Sequence, residues 1–187
     1  MKTAAILLAD GFEEVEAITP IDFLRRAGID VTIIGVTGGD DIGGEVTGGH
    51  GIQVGTDAPV TRTDELKLDA IIVPGGMPGA ENIAASEEAK RLILRIFTEG
   101  GLVAAICAAP AVVLDPLGVL KDKQATCYPG FETRFKHARY SRERVVRDGT
   151  VISSCGPGCA AEFSLAIIQY LIDKDAANEV RWRTLND

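Results

Sequence analysis

The segment Leu102-Val103-Ala104-Ala105-Ile106-Cys107-Ala108-Ala109-Pro110 decides the fold, because it joins a buried strand directly to a helix. Its first five residues form an unbroken apolar run, which is typical of a central strand covered on both faces. The alanine-rich part that follows predicts a helix over Ala108–Leu114 without an intervening loop. Cys107 is therefore expected to occupy the turn between the strand and the helix.

Short apolar strands alternate with amphipathic helices along the rest of the chain, which predicts an α/β protein with a mostly parallel sheet covered on both faces. The predicted strands are Thr3–Ala9, Val31–Val36, Ala70–Pro74, Leu102–Ile106, Gln124–Thr126 and Val151–Ser154. The predicted helices are Glu13–Ala27, Glu87–Glu99, Ala108–Leu114, Phe131–Phe135 and Ala160–Lys174. The 187 residues suit one domain of ordinary size, so we expect a single domain over residues 1–187.

Two local patterns refine this prediction. In the first helix, Val15, Ile18, Phe23 and Leu24 recur at near-helical spacing and predict the face that packs on the sheet. A stretch between residues 37 and 60 is rich in Gly, Thr and Asp, which predicts a hairpin or short edge strands.

The charge and the apolar runs limit the classes of partner. A net charge of −8 argues against nucleic acid or an anionic membrane, because both attract basic surfaces. The basic run Arg134–Lys136, continued by Arg139, Arg142 and Arg144, is expected to be a solvated surface. The apolar start ends at Asp10, too early for a secretory signal, and no segment approaches the ~18 apolar residues of a membrane span. We therefore expect a cytoplasmic protein.

Four cysteines, at positions 107, 127, 155 and 159, are expected to stay reduced in that compartment. The spacing Cys155-x3-Cys159, with only His50 and His137 elsewhere, is a weak metal-binding pattern. We therefore expect no metal and no cofactor.

Three predicted strands run into sequences suited to chemistry, at the sheet edge where open α/β sheets bind ligands. The first strand runs into Asp10-Gly11-Phe12-Glu13-Glu14-Val15-Glu16, the third into Pro74-Gly75-Gly76 and the fourth into Cys107-Ala108. Helix amides beside a thiol favour the thiolate, so we expect a lowered pKa for Cys107. The alternative is a buried structural cysteine.

Glu16 and the paired glycines are the candidate partners of this thiol. Glu16 lies one turn into the first helix and can face the sheet edge, where burial and the thiolate would raise its pKa and make it an acid or base. The alternative is an exposed acid that favours the helix start. Gly75 and Gly76 can point backbone N–H groups into the site as an oxyanion hole, or can form a plain tight turn.

Together these segments resemble the ThiJ/PfpI family, whose members include the parkinsonism-associated protein deglycase and its bacterial relatives. The resemblance rests on Ala9–Glu16 with Pro20 and Arg25–Gly28, on Pro74–Gly76, on Ala104–Pro110, and on Gly156-Pro157-Gly158 before Glu162-Phe163. It implies a flavodoxin-like three-layer sandwich of the glutamine amidotransferase-like type, usually a homodimer. It also implies Cys107 as nucleophile, Glu16 as partner acid, and the amides of Gly75, Gly76 and Ala108 beside the thiol.

The resemblance implies two classes of function. The first is a glutathione-independent glyoxalase or protein deglycase, acting on a small aldehyde or a glycated protein. The second is a non-enzymatic oxidative-stress sensor or redox-regulated chaperone, switched by oxidation of Cys107.

The chain departs from the family pattern at several positions. Tyr128 stands where relatives often carry a His, so no Cys-His pair is assigned, and Ala108 stands where the peptidase-like branch has a His, which argues against proteolysis. Cys155 replaces a polar or basic residue before Gly-Pro-Gly and is a possible resolving thiol for Cys107. Cys127 and Cys159 are further possible redox partners, or all three fill small spaces. His50 can lie near the partner's site in family dimers or be a solvated loop residue, and His137 is expected at the surface.

Overall fold

A seven-stranded sheet forms the centre of the protein. The computed structural model describes residues 1–37 and 44–186. Its strands are β1 Thr3–Leu8, β2 Asp30–Gly35, β3 Glu45–Thr47, β4 Gln53–Gly55, β5 Ala58–Pro59, β6 Ala70–Val73, β7 Leu102–Ile106, β8 Gln124–Ala125, β9 Arg139–Tyr140, β10 Val145–Asp148 and β11 Val151–Ser154. Its α-helices are α1 Glu14–Arg26, α2 Gly79–Ala85, α3 Glu87–Thr98, α4 Ala160–Leu171 and α5 Lys174–Arg183.

The central sheet runs in the order β10-β11-β7-β6-β1-β2-β5 and is parallel except at β10, which pairs antiparallel with β11. Alternate residues of each strand face opposite sides, so two cores form. On one side, Ala4, Ile6 and Leu8 pack with α1, α4 and α5. On the other side, Ala5 and Leu7 pack with α2, α3 and the turn after β7. The predicted α/β architecture is confirmed.

The exposed face of α1 corrects one prediction. Val15 is 49% exposed and Ile18 is 41% exposed, whereas Phe23 and Leu24 are buried. Besides Phe23 and Leu24, the buried face of the helix contains Glu14, Glu16, Ala17, Pro20 and Ile21. The apolar spacing was misleading because the buried face of the helix carries two acids, Glu14 and Glu16.

Three predicted helices differ in form. The segment after Cys107 is a π-helix over Pro110–Leu114, in which the Asp115 N–H donates to the Pro110 carbonyl at 2.9 Å. The predicted helix at Phe131–Phe135 is a 3-10 turn over Phe131–Arg134. The last predicted helix is divided after Leu171, because Asp173 accepts the Ala176 N–H and begins α5.

Several short elements were not predicted or lie elsewhere. The strand at Gln124–Ala125 pairs with β9 in a separate two-stranded sheet. The Gly-rich stretch contains the predicted hairpin, formed by β3 and β4, while residues 38–43 of that stretch lie outside the described residues. Within the described ranges, no helix is both long enough and apolar enough to cross a bilayer.

Candidate active site

Cys107 lies at the turn that the sequence predicts, directly after β7. Its φ is 65°, in the left-handed region that residues other than glycine seldom adopt. Two backbone bonds hold the turn: the Cys107 N–H donates to the Ser154 carbonyl at 2.9 Å, and the Cys107 carbonyl accepts from the Tyr128 N–H at 2.8 Å. The half-buried side chain is thereby fixed at the carboxyl edge of the sheet.

Glu16 is fully buried, which excludes the alternative of an exposed helix acid. Its Oε2 accepts the Gly75 N–H at 2.9 Å. Its Oε1 is buried and has no hydrogen-bond partner by ordinary geometry among the described residues. One carboxylate oxygen is therefore anchored, whereas the other is not.

Gly75 brings the carboxyl and the thiol together because it has no side chain. A Cβ on Gly75 would lie 2.5 Å from Cys107 Cβ and 2.6 Å from Glu16 Oε2. The Gly75 carbonyl also accepts the Glu13 N–H at 3.0 Å, which ties the turn after β6 to the start of α1. Gly76 has a φ of 86°, and a Cβ there would lie 2.5 Å from the Gly11 carbonyl oxygen. Both glycines are required by close backbone approach.

The thiol and the carboxyl strongly perturb each other. Burial raises the pKa of Glu16 to about 7, although hydrogen bonds with Cys107 and Gly75 oppose that rise. Burial, and then the charge and hydrogen bond of Glu16, raise the pKa of Cys107 to about 12. The amides of Gly76 and Ala108 act in the opposite direction and lower it. The predicted rise in the pKa of Glu16 is confirmed. The predicted lowering of the pKa of Cys107 is wrong, because burial and the ionised Glu16 carboxylate both disfavour the thiolate. When Glu16 carries the proton, the repulsion disappears and the two amides favour the thiolate.

The predicted oxyanion groups divide between two partners. The amides of Gly76 and Ala108 interact with the Cys107 sulfur, whereas the Gly75 amide is bound to Glu16. This arrangement gives two donors next to the thiol. Their binding of a developing oxyanion stays a prediction.

His50 joins an acidic cluster at the start of α1. Its Nδ1 lies 2.7 Å from Glu14 Oε2, its backbone N–H donates to Glu14 Oε1, and Glu13 Oε2 lies 3.9 Å away. The pKa of His50 is raised, first by the Glu14 hydrogen bond and then by the charges of Glu13 and Glu14. Burial alone would raise the pKa of Glu14, but the hydrogen bonds from His50 lower it overall. Among the described residues, this trio is the group whose three possible metal-ligand atoms lie within 4.8 Å of one another.

Tyr128 and the other three cysteines lie along the loops beside Cys107. Tyr128 is 44% exposed, and its ring lies against Gly156, where a Cβ would approach it to 3.1 Å. Cys155 and Cys159 are in contact, with their sulfur atoms 3.1 Å apart. Cys127 is buried, and its pKa rises to about 12 because of burial and then the charges of Glu132 and Cys155. His137 is exposed, as predicted.

Sequence reasoning missed three residues, of which Arg144 and Asp115 shape these loops. Arg144 donates to the Gly158 carbonyl at 2.8 Å and to Glu162, within a run expected to be only solvated. Asp115 is fully buried and accepts the backbone N–H groups of residues 136–138. Glu14 is buried and binds His50. Asp115 gave a signal, because it follows a run of apolar residues, and an acid buried among them requires donors.

The sequence profile of the DJ-1/PfpI family matches residues 2–170, nearly the whole chain. The chain belongs to the DJ-1/PfpI family. The resemblance noted in the sequence is thereby confirmed, and the fold is the flavodoxin-like sandwich that the family implies.

Curated relatives of this family span several kingdoms. The chain is 38% identical to protein dj-1beta of Drosophila melanogaster over 96% of this chain and 94% of the relative. It is 34% identical to the deglycase PYRAB04690 of Pyrococcus abyssi over 82% of this chain and 89% of that protein. It is 37% identical to the DJ-1 homolog B of Arabidopsis thaliana, but it spans only 40% of that longer protein.

Solved structures of the family superpose closely. The oxidized DJ-1 of Toxoplasma gondii has a TM-score of 0.93 at 34% identity, covering 99% of this chain and 98% of the other. Drosophila melanogaster DJ-1beta has a TM-score of 0.92 at 38% identity, covering 98% and 97%.

Proposed function

We propose that this protein is a cysteine-dependent glyoxalase or protein deglycase, with Cys107 as nucleophile and Glu16 as acid and base. The observation that carries the proposal is the buried pairing of the Glu16 carboxyl with the Cys107 thiol across Gly75. The Pyrococcus abyssi relative, which is named a deglycase, adds support from the family.

The first proposed step is attack of the Cys107 sulfur on an aldehyde carbon. The new C–S bond forms while the carbonyl oxygen becomes negative, and Glu16 takes the thiol proton and passes it to that oxygen. The product is a hemithioacetal, and Glu16 is again a carboxylate. The amides of Gly76 and Ala108, which already interact with the sulfur, are placed to donate to the oxygen that becomes negative.

The second proposed step moves a proton between the two carbons of the former dicarbonyl. Glu16 removes it from the carbon bound to sulfur and returns it to the neighbouring carbon. The hydroxyl proton of the hemithioacetal passes to the oxygen of that neighbouring carbon, which leaves a thioester of a hydroxy acid. Water then cleaves the thioester and regenerates the thiol. A carboxyl with a pKa of about 7 suits both directions of transfer near neutral pH.

Glu16→Gln tests the acid and base role, because the amide keeps the size of the side chain and cannot carry the proton. We expect conversion of glyoxal to glycolate to fall at least ~100-fold, a common size for loss of acid–base catalysis. The wild-type rate should also change with pH near the pKa of Glu16, and the variant should lose that dependence. Wild-type activity in Glu16→Gln would contradict the assignment.

A second candidate is a redox sensor or redox-regulated chaperone switched at Cys107. It is favoured by the partial exposure of the Cys107 thiol and by the amides that interact with its sulfur. The Glu16→Gln variant separates the two candidates. An enzyme loses carbonyl chemistry in this variant, whereas a sensor shows no carbonyl turnover in either protein and still oxidises at Cys107.

We further propose that the protein acts as a homodimer. Val15 and Ile18 of α1 and Ile52 of the β3–β4 hairpin are exposed apolar side chains, which a second copy would cover. Sedimentation of wild type and of Val15→Asp tests this proposal. A dimer that becomes a monomer in the variant supports it, and a monomeric wild type overturns it.

A further inference from the structure

Cys155 and Cys159 form a dithiol that the carbonyl chemistry at Cys107 does not use. Their sulfur atoms lie 3.1 Å apart, and a disulfide bond needs about 2.05 Å, so closure requires a shift of about 1 Å. Cys155 follows β11, and Cys159 ends the 3-10 turn Pro157–Cys159. The Cys159 N–H donates to the Gly156 carbonyl at 2.8 Å, which folds the second thiol back over the first.

Arg144 holds this loop in place. Its guanidinium donates to the Gly158 carbonyl at 2.8 Å and to both carboxylate oxygens of Glu162 at 3.0 and 3.1 Å. Its carbonyl accepts the Cys155 N–H at 3.1 Å. Arg144 therefore fixes the segment that contains both thiols, and its positive charge lies beside them.

We propose that Cys155 and Cys159 are a redox-active pair that hydroperoxides oxidise to an intramolecular disulfide. The pairing differs from the Cys107–Cys155 link suggested by the sequence, because the contact observed for Cys155 is with Cys159. The reaction is independent of Cys107, so it stands or falls separately from the proposed carbonyl chemistry.

The order of the two thiols follows from their exposure. Cys155 is half-buried and accessible to an oxidant, whereas Cys159 is buried. Burial, then the hydrogen bond with Cys155, raises the pKa of Cys159 to about 11, and Arg144 opposes that rise. Cys155 is therefore the thiol that is oxidised first, and Cys159 resolves it.

The chemistry balances with one hydroperoxide per pair. The Cys155 thiolate attacks the O–O bond, and the Cys155 sulfur becomes a sulfenic acid while an alcohol, or water from hydrogen peroxide, leaves. The Cys159 sulfur then attacks the sulfenic sulfur, the S–S bond forms and water leaves. Two thiols lose two electrons and two protons, and the hydroperoxide gains them. A dithiol reductant reverses the reaction.

The disulfide would lie next to the turn that carries Cys107. Ser154, the residue before Cys155, accepts the Cys107 N–H. Gly156, the residue after it, contacts the Tyr128 ring, and the Tyr128 N–H binds the Cys107 carbonyl. The pair therefore adjoins both backbone bonds of the Cys107 turn.

Tryptic mapping distinguishes the possible linkages. No Lys or Arg separates Cys155 from Cys159, so both fall in the peptide 148–174, whereas Cys107 falls in the peptide 96–121. After peroxide treatment and alkylation without reduction, we expect the 148–174 peptide to lose two hydrogens and to resist alkylation. Dithiothreitol should restore two alkylatable thiols.

Single cysteine variants provide the controls. Cys107→Ser and Cys127→Ser should form the disulfide as wild type does, whereas Cys155→Ser and Cys159→Ser should not. Cys155 is only half-buried, whereas Cys159 is buried, so Cys155→Ser stays informative even where Cys159→Ser disturbs folding. A linkage between peptides 96–121 and 148–174 would overturn the proposal. So would two free thiols in 148–174 after peroxide has oxidised Cys107.

Discussion

Replacing Gly75 with alanine should damage the site directly. The added Cβ would lie 2.5 Å from Cys107 Cβ and 2.6 Å from Glu16 Oε2. Carbon atoms in good contact lie about 3.5–4.0 Å apart, so the turn or the carboxyl must move by about 1 Å. Neither neighbour moves freely, because Cys107 is fixed by two backbone bonds and Glu16 is fully buried.

The size of the effect follows from these contacts. Overpacking of a tight interior costs about 1–3 kcal/mol in the free energy of unfolding. Weakening the bond from the Gly75 N–H to Glu16 adds about 1 kcal/mol. A displacement of about 1 Å in a catalytic group lowers the rate about 100-fold. Gly75→Ala should therefore lose about 2–4 kcal/mol of stability and nearly all carbonyl turnover.

The assay compares urea unfolding and methylglyoxal turnover in Gly75→Ala and Gly55→Ala. Gly55 is the matched control, because among the described residues no atom beyond its chain neighbours lies within 4 Å of the position of its added Cβ. That variant should stay within about 0.5 kcal/mol of wild type and keep its activity. Equal stability and equal turnover in the two variants would refute the packing described for Gly75.

Three further perturbations test the charges and buried acids. The folded-state pKa of Glu16 is about 7 against an ordinary 4.5, so the folded protein holds this proton more tightly and stability should fall as pH rises through that window. Glu16→Gln should remove up to about 3 kcal/mol of that pH-dependent loss in the free energy of unfolding. Urea unfolding of both proteins, at one pH below 4.5 and one above 7, measures the difference. An unchanged pH dependence would argue against a buried carboxyl with a raised pKa. Glu14→Gln should lower the pKa of His50, because its largest cause is the Glu14 hydrogen bond, and imidazole titration by NMR would disprove the pairing if that pKa did not move. Asp115→Ala should destabilise the protein by about 3 kcal/mol, because Asp115 accepts three backbone N–H groups. Asp148→Ala, which removes the acceptor of one such bond, should cost about 1 kcal/mol in the same thermal unfolding assay, and equal losses would contradict the role of Asp115.

Much of the central sheet was predictable from sequence. The strands at Leu102–Ile106 and Val151–Ser154 were predicted with their observed bounds. Leu102–Ile106 is a continuous apolar run between polar turns, and such a run has few alternatives. Short edge elements such as β5 and β9 carry two residues each and have no comparable signal. The exposed Val15 shows a second limit, since apolar spacing alone does not tell which face of a helix is buried.

The position of Cys107 was predictable because a strand runs into a helix without a loop. The pKa of its thiol was not, because helix amides are visible in the sequence pattern whereas burial against Glu16 depends on tertiary packing. The contact between Cys155 and Cys159 was also not foreseen. The spacing of the two cysteines permits several loop conformations, and the hydrogen bond from Arg144 to the Gly158 carbonyl stabilises the one observed.

The most direct test of the central claim is D-lactate formation from methylglyoxal without glutathione. Wild type and the Cys127→Ser control should form D-lactate, and Cys107→Ser should form none above the uncatalysed rate. The comparison isolates one sulfur atom, because Cys127 is a buried thiol beside the site, whereas the thiol that pairs with Glu16 is Cys107. D-lactate formation by Cys107→Ser at the wild-type rate, or none by wild type, would contradict the account.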